Sequence, residues 1–227
     1  AMDPQQRVLL ELAWEAFEYG GLSPAALAGS HTGVFIGIST FDYGFLMQQD
    51  VNEINAFMAT GGASSIAANR ISYILDLNGP SIAVDTACSS SLVAVHLACE
   101  SMRRGECDMA LVGGVNAIVS PDKAIGYAKM GIMAADGHCK TFDARADGFV
   151  RSEGAGMVVL KRLAAAEQDQ DTILGVIRGS AVNQDGLSNG LMAPNGPAQQ
   201  AVIRQALKQA GIRSDAVSYV EAHGTGT

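Results

Sequence analysis

The chain has 227 residues, of which 48% are hydrophobic and 17% charged, so it can bury a large core and does not have the composition of a disordered chain. Its formal charge of −8 argues against nucleic acid as a partner, because phosphate binding needs clustered Lys and Arg. No apolar run approaches the roughly 18 to 20 residues that span a bilayer, and the start lacks the basic-then-apolar plan of a secretion signal, so a cytoplasmic protein without a membrane anchor is expected.

Helices and strands alternate in the first part of the chain. A helix is predicted from the Asp-Pro pair at 3–4, which supplies an N-cap and a first-turn proline, to the Gly pair at 20–21. A β-branched run bounded by glycines at 33–38 predicts a buried strand, and residues 62–77 are typical of a helix. The alternation favours an α/β fold.

The middle of the chain predicts a strand–helix–strand unit, with a strand at 80–85, a helix at 88–102 and a strand at 109–113. Two strands that are joined through a helix are expected to run parallel with a right-handed crossover, in a sheet covered on both faces. A further strand is predicted at 156–160.

After a polar stretch at 164–171, the alternation of strands and helices starts again near residue 172. A strand at 173–177, a helix at 197–210 and a strand at 217–220 are predicted there. Two runs of strands and helices separated by a polar linker suggest two stacked α/β halves, of which the second has only begun at Thr227.

The first candidate for chemistry is Cys88, where a predicted strand ends in small residues and a helix begins. A thiol at a helix N-terminus is expected to have a lowered pKa, and the same backbone amides can hold a developing oxyanion. The alternative is that Cys88 is a small core residue and the serines after it only cap the helix.

The other cysteines, Cys99, Cys107 and Cys139, lack such a setting and are interpreted as structural. The spacing of the four cysteines matches neither a zinc site nor a disulfide framework, so reduced thiols and no metal are expected.

The second candidate is His223, which follows a predicted strand and opens a loop of Gly and Thr. A neutral imidazole there can donate a hydrogen bond or accept a proton near pH 7, and the glycines let the backbone approach a ligand. The remaining histidines are interpreted as packed (His96) or incidental loop residues (His31, His138).

Two stretches together resemble the active-site Cys and first-His motifs of β-ketoacyl synthases from type I modular polyketide synthases. They are Asp-Thr-Ala-Cys-Ser-Ser-Ser at 85–91 and Glu-Ala-His-Gly-Thr-Gly-Thr at 221–227. Supporting stretches at 2–7, 67–73, 140–144 and 183–195 extend the resemblance over the whole chain.

The resemblance implies a thiolase-like fold, in which two α/β halves stack as five layers, and a homodimer. Residues 1–165 would form most of the first half and residues 172–227 the start of the second. No cofactor would bind directly, because the substrates are carried on the phosphopantetheine of an acyl carrier protein. The partners implied are the carrier and acyltransferase domains of the same assembly line.

By the same resemblance, Cys88 accepts the growing acyl chain as a thioester, and His223 assists malonyl decarboxylation and stabilises the enolate. Thr225 and Thr227 match positions that bind the phosphopantetheine arm, although both can equally be turn residues. Residues 122–133, which include Tyr127 and Met130, lie where relatives shape the acyl pocket, although they can equally be ordinary core.

The sequence departs from the family pattern in ending at Thr227, before the motif that would carry a second catalytic His, a nearby Lys and a Gly-rich loop. A partial domain that cannot condense substrates by itself is therefore expected.

The glycines at 113–114 and 154–156 match no phosphate-binding motif and are expected to serve tight packing. The acidic residues Asp143, Asp147 and Glu153 are expected in a solvated loop or in ion pairs with Arg145 or Arg151.

Three other functions remain open at the level of sequence. A synthase that is acylated on Cys88 but never condenses, or a hydrolase, needs the same Cys and a distant His. A catalytically dead interaction module is disfavoured because Cys88 is present in its full context, and the 85–91 and 183–186 stretches favour the polyketide branch over a biosynthetic thiolase.

Overall fold

A computed structural model describes residues 2–227, apart from the side chain of Glu53. The α-helices are α1 (Pro4–Tyr19), α2 (Asp42–Met47), α3 (Met58–Gly62), α4 (Ser64–Leu75), α5 (Ser90–Arg104), α6 (Asp122–Lys129), α7 (Leu163–Gln168) and α8 (Gly196–Ala210). The strands are β1 (Thr32–Gly37), β2 (Ser81–Val84), β3 (Met109–Asn116) and β4 (Gly154–Lys161). Short 3₁₀ turns occur at Pro24–Leu27, Val51–Glu53, Ala87–Ser89 and Ser214–Ala216.

The four strands form one mixed sheet in the order β2-β1-β3-β4. Both β2 and β3 pair with β1 in parallel, whereas β4 pairs with β3 antiparallel. The expected strand–helix–strand unit is confirmed, since β2 and β3 run in the same direction and α5 connects them.

Alternate side chains of the central strands fill two separate cores, as the two-residue period of a strand requires. In β1, Val34 and Ile36 lie in the core that contains α1 and α4, and Phe35 lies in the core that contains α5. In β3, Leu111 belongs to the first core and Val112 to the second. The sheet is therefore covered by helices on both faces, as expected.

Helix α1 begins and ends as its sequence predicts. The Asp3 carboxylate accepts a hydrogen bond from Gln5 N at 2.8 Å, Pro4 occupies the first turn, and Gly20 is the C-cap. Leu9, Ala13 and Phe17 are completely buried on one face of the helix. The periodic apolar stripe therefore anchors α1 on the sheet.

Helix α5 approaches the sheet at two glycines. A Cβ on Gly37, at the end of β1, would lie 2.6 Å from Ser91 N and 2.8 Å from Ser91 Cα. A Cβ on Gly114 of β3 would lie 2.1 Å from the Ser91 hydroxyl oxygen. The first turn of α5 therefore touches the backbone of two strands. The expectation of tight packing is confirmed at Gly114 and at Gly113, whose Cβ would lie 2.8 Å from Gly156 O. It is wrong at Gly154 and Gly156, where a Cβ would meet nothing within 4 Å.

Residues 163–221 form a second compact unit, with α7 and α8 as its helices. The Asn195 side chain caps α8 by accepting from Ala198 N at 3.3 Å, and Gly211 ends the helix with φ of +65°. The chain near Gly179 lies against the end of α8, because a Cβ on Gly179 would be 2.6 Å from Ala210 N. The helix predicted at 197–210 is thus confirmed.

The strands predicted at 173–177 and 217–220 are wrong for the structure, which has no regular element at either stretch. A strand is maintained by ladder hydrogen bonds to a neighbour, and within residues 2–227 neither stretch pairs with a strand. Their apolar side chains are correspondingly open to solvent, with Leu174 78% and Val220 74% exposed. No helix in the described part of the chain combines the length and apolar character needed to cross a membrane.

We predict that Gly37→Ala lowers the free energy of unfolding by about 1–3 kcal/mol, the usual cost of overpacking, because the new methyl group would collide with the backbone of α5. Chemical denaturation of the two proteins measures the difference. Gly156→Ala on β4 is the matched control, since its Cβ would meet nothing within 4 Å. Equal stability of the Gly37 and Gly156 variants would contradict the packing argument.

Candidate active site around Cys88

A tight turn between β2 and α5 carries Cys88. The Asp85 carboxylate accepts from Ala87 N at 3.0 Å, and the Ser90 hydroxyl accepts from Thr86 N at 2.9 Å and donates to Ala87 O at 2.6 Å. Ser89 donates its hydroxyl to Thr86 O at 2.9 Å. The polar residues of the motif therefore hold the turn itself.

Ala87, directly before Cys88, has φ of +53°, a left-handed conformation that is costly for a residue with a Cβ. Such strain persists only where the surroundings fix the backbone, which the hydrogen bonds of Thr86 and Ser90 do here. The result is an exposed Cys88 side chain on a rigid turn in front of a 15-residue helix.

Cys88 lines a cleft of about 500 Å³ at the carboxyl ends of β1 and β3. Its other walls include Gly37, Thr40, Asn116, Lys123, Tyr127 and Arg151. Hydrogen bonds hold two of these polar residues, Thr40 and Asn116, in place. Thr40 donates its hydroxyl to the Asn116 side chain at 2.6 Å, and the fully buried Gln5 side chain donates to Thr40 O at 3.0 Å.

Two cationic side chains enter this cleft, and no carboxylate is among its described lining residues. Lys123 Nζ donates to Ser39 O at 2.9 Å. The Arg151 guanidinium lies 5.9 Å from the centre of the Tyr127 ring, and that ring meets Phe149 edge-on at 5.6 Å. The cleft is therefore locally positive in a chain whose formal charge is −8.

The remaining cysteines have other surroundings. Cys99 and Cys107 are buried, and burial raises the pKa of both thiols, which disfavours the nucleophilic thiolate. Cys139 is exposed, and its sulfur accepts from Val150 N at 3.2 Å. Cys88 is thus the thiol that combines exposure, a strained turn and a cleft.

His223 lies on the loop 222–227, which belongs to the same compact unit as Cys88. Thr141 donates its hydroxyl to Gly224 O, and Gly148 N donates to Gly226 O at 3.0 Å. Gly224 and Gly226 have φ of +58° and +73°, and a Cβ on Gly226 would lie 2.7 Å from Lys140 N. The loop is held through its backbone, and the His223 side chain remains exposed.

The segment that holds this loop is cross-linked by Lys140. Its ammonium group lies 2.8 Å from the Asp136 carboxylate and 2.6 Å from that of Asp147. The hydrogen bonds that Lys140 donates to Asp136 and Asp147 hold the pKa of Lys140 above its ordinary value, and the same interaction lowers the pKa of Asp136. The second ion pair joins Lys140 and Asp147, which directly precede Thr141 and Gly148 in the chain.

The structure brings some predicted site residues together and leaves others apart. Cys88 and Tyr127 line the same cleft, whereas Met130, His223, Thr225 and Thr227 are not among its lining residues. Met130 is 52% exposed, and the hydroxyls of Thr225 and Thr227 hydrogen-bond to each other.

The acidic residues near β4 take different partners. Asp143 pairs with Arg145 at 2.8 Å, as expected, and Asp147 pairs with Lys140. Glu153 accepts instead from Ile118 N at 2.6 Å. Arg151 makes no ion pair with the described residues and lines the cleft. The sequence did not predict this position, because acidic residues close to Arg151 in the chain suggested an ion pair instead.

Comparisons with known proteins place the chain in a family. The model of the β-ketoacyl synthase N-terminal domain matches residues 1–166, and the model of the corresponding C-terminal domain matches residues 174–227. A phenolphthiocerol/phthiocerol polyketide synthase from Mycobacterium tuberculosis is 58% identical over 226 residues, which cover 100% of this chain and 12% of the relative. Erythronolide synthase EryA3 from Saccharopolyspora erythraea is 56% identical over 227 residues and is covered to 7%.

Solved structures agree. A ketosynthase from module 6 of the bacillaene synthase of Bacillus subtilis superposes with a TM-score of 0.92 at 45% identity, over 100% of this chain and 39% of that one. An oxazolomycin ketosynthase domain from Streptomyces albus gives the same TM-score, identity and coverage. The expected thiolase-like α/β fold is confirmed, and the chain belongs to the β-ketoacyl synthase family.

Proposed function

We propose that the chain is part of a ketosynthase domain of a modular polyketide synthase, which extends acyl chains by decarboxylative Claisen condensation. The observation that carries this proposal is Cys88, exposed on a strained turn before α5 and open to a cleft. Family membership supplies the reaction class, and the relatives, of which the chain spans 7 to 12%, are polyketide synthases by name. The chain alone is proposed to be inactive.

The first step is acyl transfer to Cys88. The thiolate attacks the carbonyl carbon of an acyl thioester on the phosphopantetheine arm of a carrier protein, a new C–S bond forms, and the carrier thiol leaves with a proton. Backbone amides at the start of α5 are suited to hold the oxyanion of the tetrahedral intermediate. The fixed turn keeps the sulfur and these amides in one geometry.

The second step is proposed to use His223. A malonyl-type thioester loses CO₂, and the electron pair of the broken C–C bond forms an enolate, whose oxygen accepts a hydrogen bond from the imidazole. The enolate carbon then attacks the Cys88 thioester, and the Cys88 thiolate is released as the new C–C bond forms. Exposure of His223 on a fixed backbone loop suits this role.

Lesser roles complete the proposal. Thr225 and Thr227 would bind the phosphopantetheine arm through hydroxyls that now bond to each other, and Tyr127 and Met130 would contact the acyl chain. Residues 1–165 would belong to the first α/β half and 172–227 to the second, a division supported by the separate matches at 1–166 and 174–227.

The proposed partners are carrier and acyltransferase domains and a second copy of the domain, in the cytoplasm. Strand β2 supports the homodimer, since within the described residues it pairs only with β1 and leaves one edge open beside Cys88's turn. Ile82 on this strand is 40% exposed. An open strand edge is a template for pairing with another chain.

We expect Cys88→Ser in the complete ketosynthase domain to abolish stable acylation by an acyl thioester, because the nucleophilic sulfur is lost. Intact-mass analysis reads the added acyl group directly. Cys139→Ser is the matched control, since Cys139 is also an exposed thiol but lies outside the cleft. Acylation that persists in the Cys88 variant would overturn the assignment.

For His223→Asn, we expect acylation of Cys88 to continue while chain extension from a malonyl carrier protein falls roughly 100- to 10,000-fold, the usual contribution of a catalytic acid or base. The two steps are followed separately, by intact mass and by product formation. If acylation and extension slowed by the same factor in His223→Asn, the assignment of His223 to the condensation step would be contradicted. Acylation of the wild type without subsequent extension would indicate a synthase that does not elongate.

Thr141→Val is expected to slow extension about fivefold, because the loop with His223 loses one hydrogen bond worth about 1 kcal/mol. Acylation of Cys88 should be unchanged, since Thr141 does not line the cleft. Thr141→Ser keeps the hydroxyl and should retain the wild-type rate. Identical rates in the Val and Ser variants would show that this hydrogen bond does not position the loop.

A further inference from the structure

Lys123 and Arg151 are two cations in the cleft that contains Cys88, and the proposed mechanism gives neither of them a role. Both line the walls together with Cys88. They come from separate parts of the chain, Lys123 from α6 and Arg151 from the segment before β4. The cleft therefore gathers positive charge, although the chain as a whole is acidic.

Arg151 and Lys123 each have hydrogen-bond donors that bind no acceptor among the described residues. Arg151 Nη1 is buried and has no partner among the residues that the structure describes. Lys123 uses Nζ to donate to Ser39 O at 2.9 Å, and an ammonium group carries three donors. A buried donor without an acceptor, such as Arg151 Nη1, is costly, so a ligand that brings an oxygen acceptor is favoured here.

The tetrahedral oxyanion and the enolate are already assigned to the amides of α5 and to His223. Three oxygen-bearing groups of the substrates remain: the carboxylate of the extender, the phosphate of the carrier arm and oxygens on the acyl chain. A cation pair on the extender carboxylate would stabilise the state before CO₂ leaves and would raise the barrier to decarboxylation. The phosphate lies at the outer end of the arm, remote from the thioester that reacts with Cys88. Hydroxyl and keto oxygens of the acyl chain, by contrast, persist unchanged through the reaction.

We propose that Lys123 and Arg151 form a subsite that selects acyl chains bearing hydroxyl or keto oxygens over fully reduced chains. A saturated chain would cover both cations without offering an acceptor, which costs free energy, whereas an oxygenated chain accepts from them. The guanidinium lies 5.9 Å from the centre of the Tyr127 ring, and Phe149 packs edge-on against that ring. This subsite rests on the proposed function, because it needs acylation at Cys88.

The test measures acylation of Cys88 in the complete domain with N-acetylcysteamine thioesters of hexanoate, 3-hydroxyhexanoate and 5-hydroxyhexanoate. These donors carry neither phosphate nor an extender carboxylate, so any preference comes from the acyl chain. The wild type should acylate faster with at least one hydroxylated chain than with hexanoate. In Arg151→Met and Lys123→Met this preference should fall about tenfold, as expected for hydrogen bonds from charged donors, and the hexanoyl rate should rise, because the saturated chain no longer covers that cation.

Arg145→Met is the matched control, since Arg145 pairs with Asp143 and does not line the cleft. Arg151→Lys retains the charge and should keep part of the preference, and thermal unfolding of each variant shows whether it is folded. A wild type without preference, or a parallel change for all three chains in the variants, would overturn the subsite while leaving the proposed function intact. A wild type that accepts none of the thioesters, nor an acyl group from a carrier protein, would overturn the proposed function itself.

Discussion

The closeness of α5 to the sheet is the constraint on which the site depends. At Gly37 and Gly114 there is no room for even a methyl group between the strands and the first turn of the helix. This contact fixes the start of α5 relative to the carboxyl ends of β1 and β3, where the cleft opens. The strained conformation of Ala87 and the exposure of Cys88 both follow, because the chain must turn sharply from β2 into a helix that is already in place.

Elements with a strong local signal could be predicted from sequence. The Asp-Pro cap and apolar stripe of α1, the glycine-bounded β1 and the strand–helix–strand unit around α5 are all present. The stretches at 173–177 and 217–220 have the composition of strands, but strand formation depends on a neighbour that local sequence does not specify. Periodicity therefore predicts whether a segment can be a strand, and pairing decides whether it is one.

The candidate site shows the same division. Cys88 and His223 could be found because each stands in a compact motif that follows a predicted strand. Lys123 and Arg151 could not, since each is a single cation in an ordinary context and they meet only through the fold. Arg151 has acidic neighbours in sequence, yet Asp147 pairs with Lys140 and Glu153 binds a backbone amide, so the guanidinium is left for the cleft.

The turn of Cys88 and the loop of His223 are held in different ways. The Cys88 turn is fixed by its own hydrogen bonds and by the packing of α5 on glycines that admit no larger side chain, so a change of volume there is transmitted to the turn. The His223 loop is held by hydrogen bonds from Thr141 and Gly148 to glycine carbonyls, and the segment that donates them is tied together by Lys140. These hydrogen bonds are made by the backbone of the loop and do not involve the His223 imidazole, which therefore remains available to hydrogen-bond to a substrate. A Cys88 on a rigid turn and a solvent-facing His223 on a loop held through its backbone would suit the proposed reaction, whose first step needs a fixed sulfur and whose second step must accommodate a changing substrate.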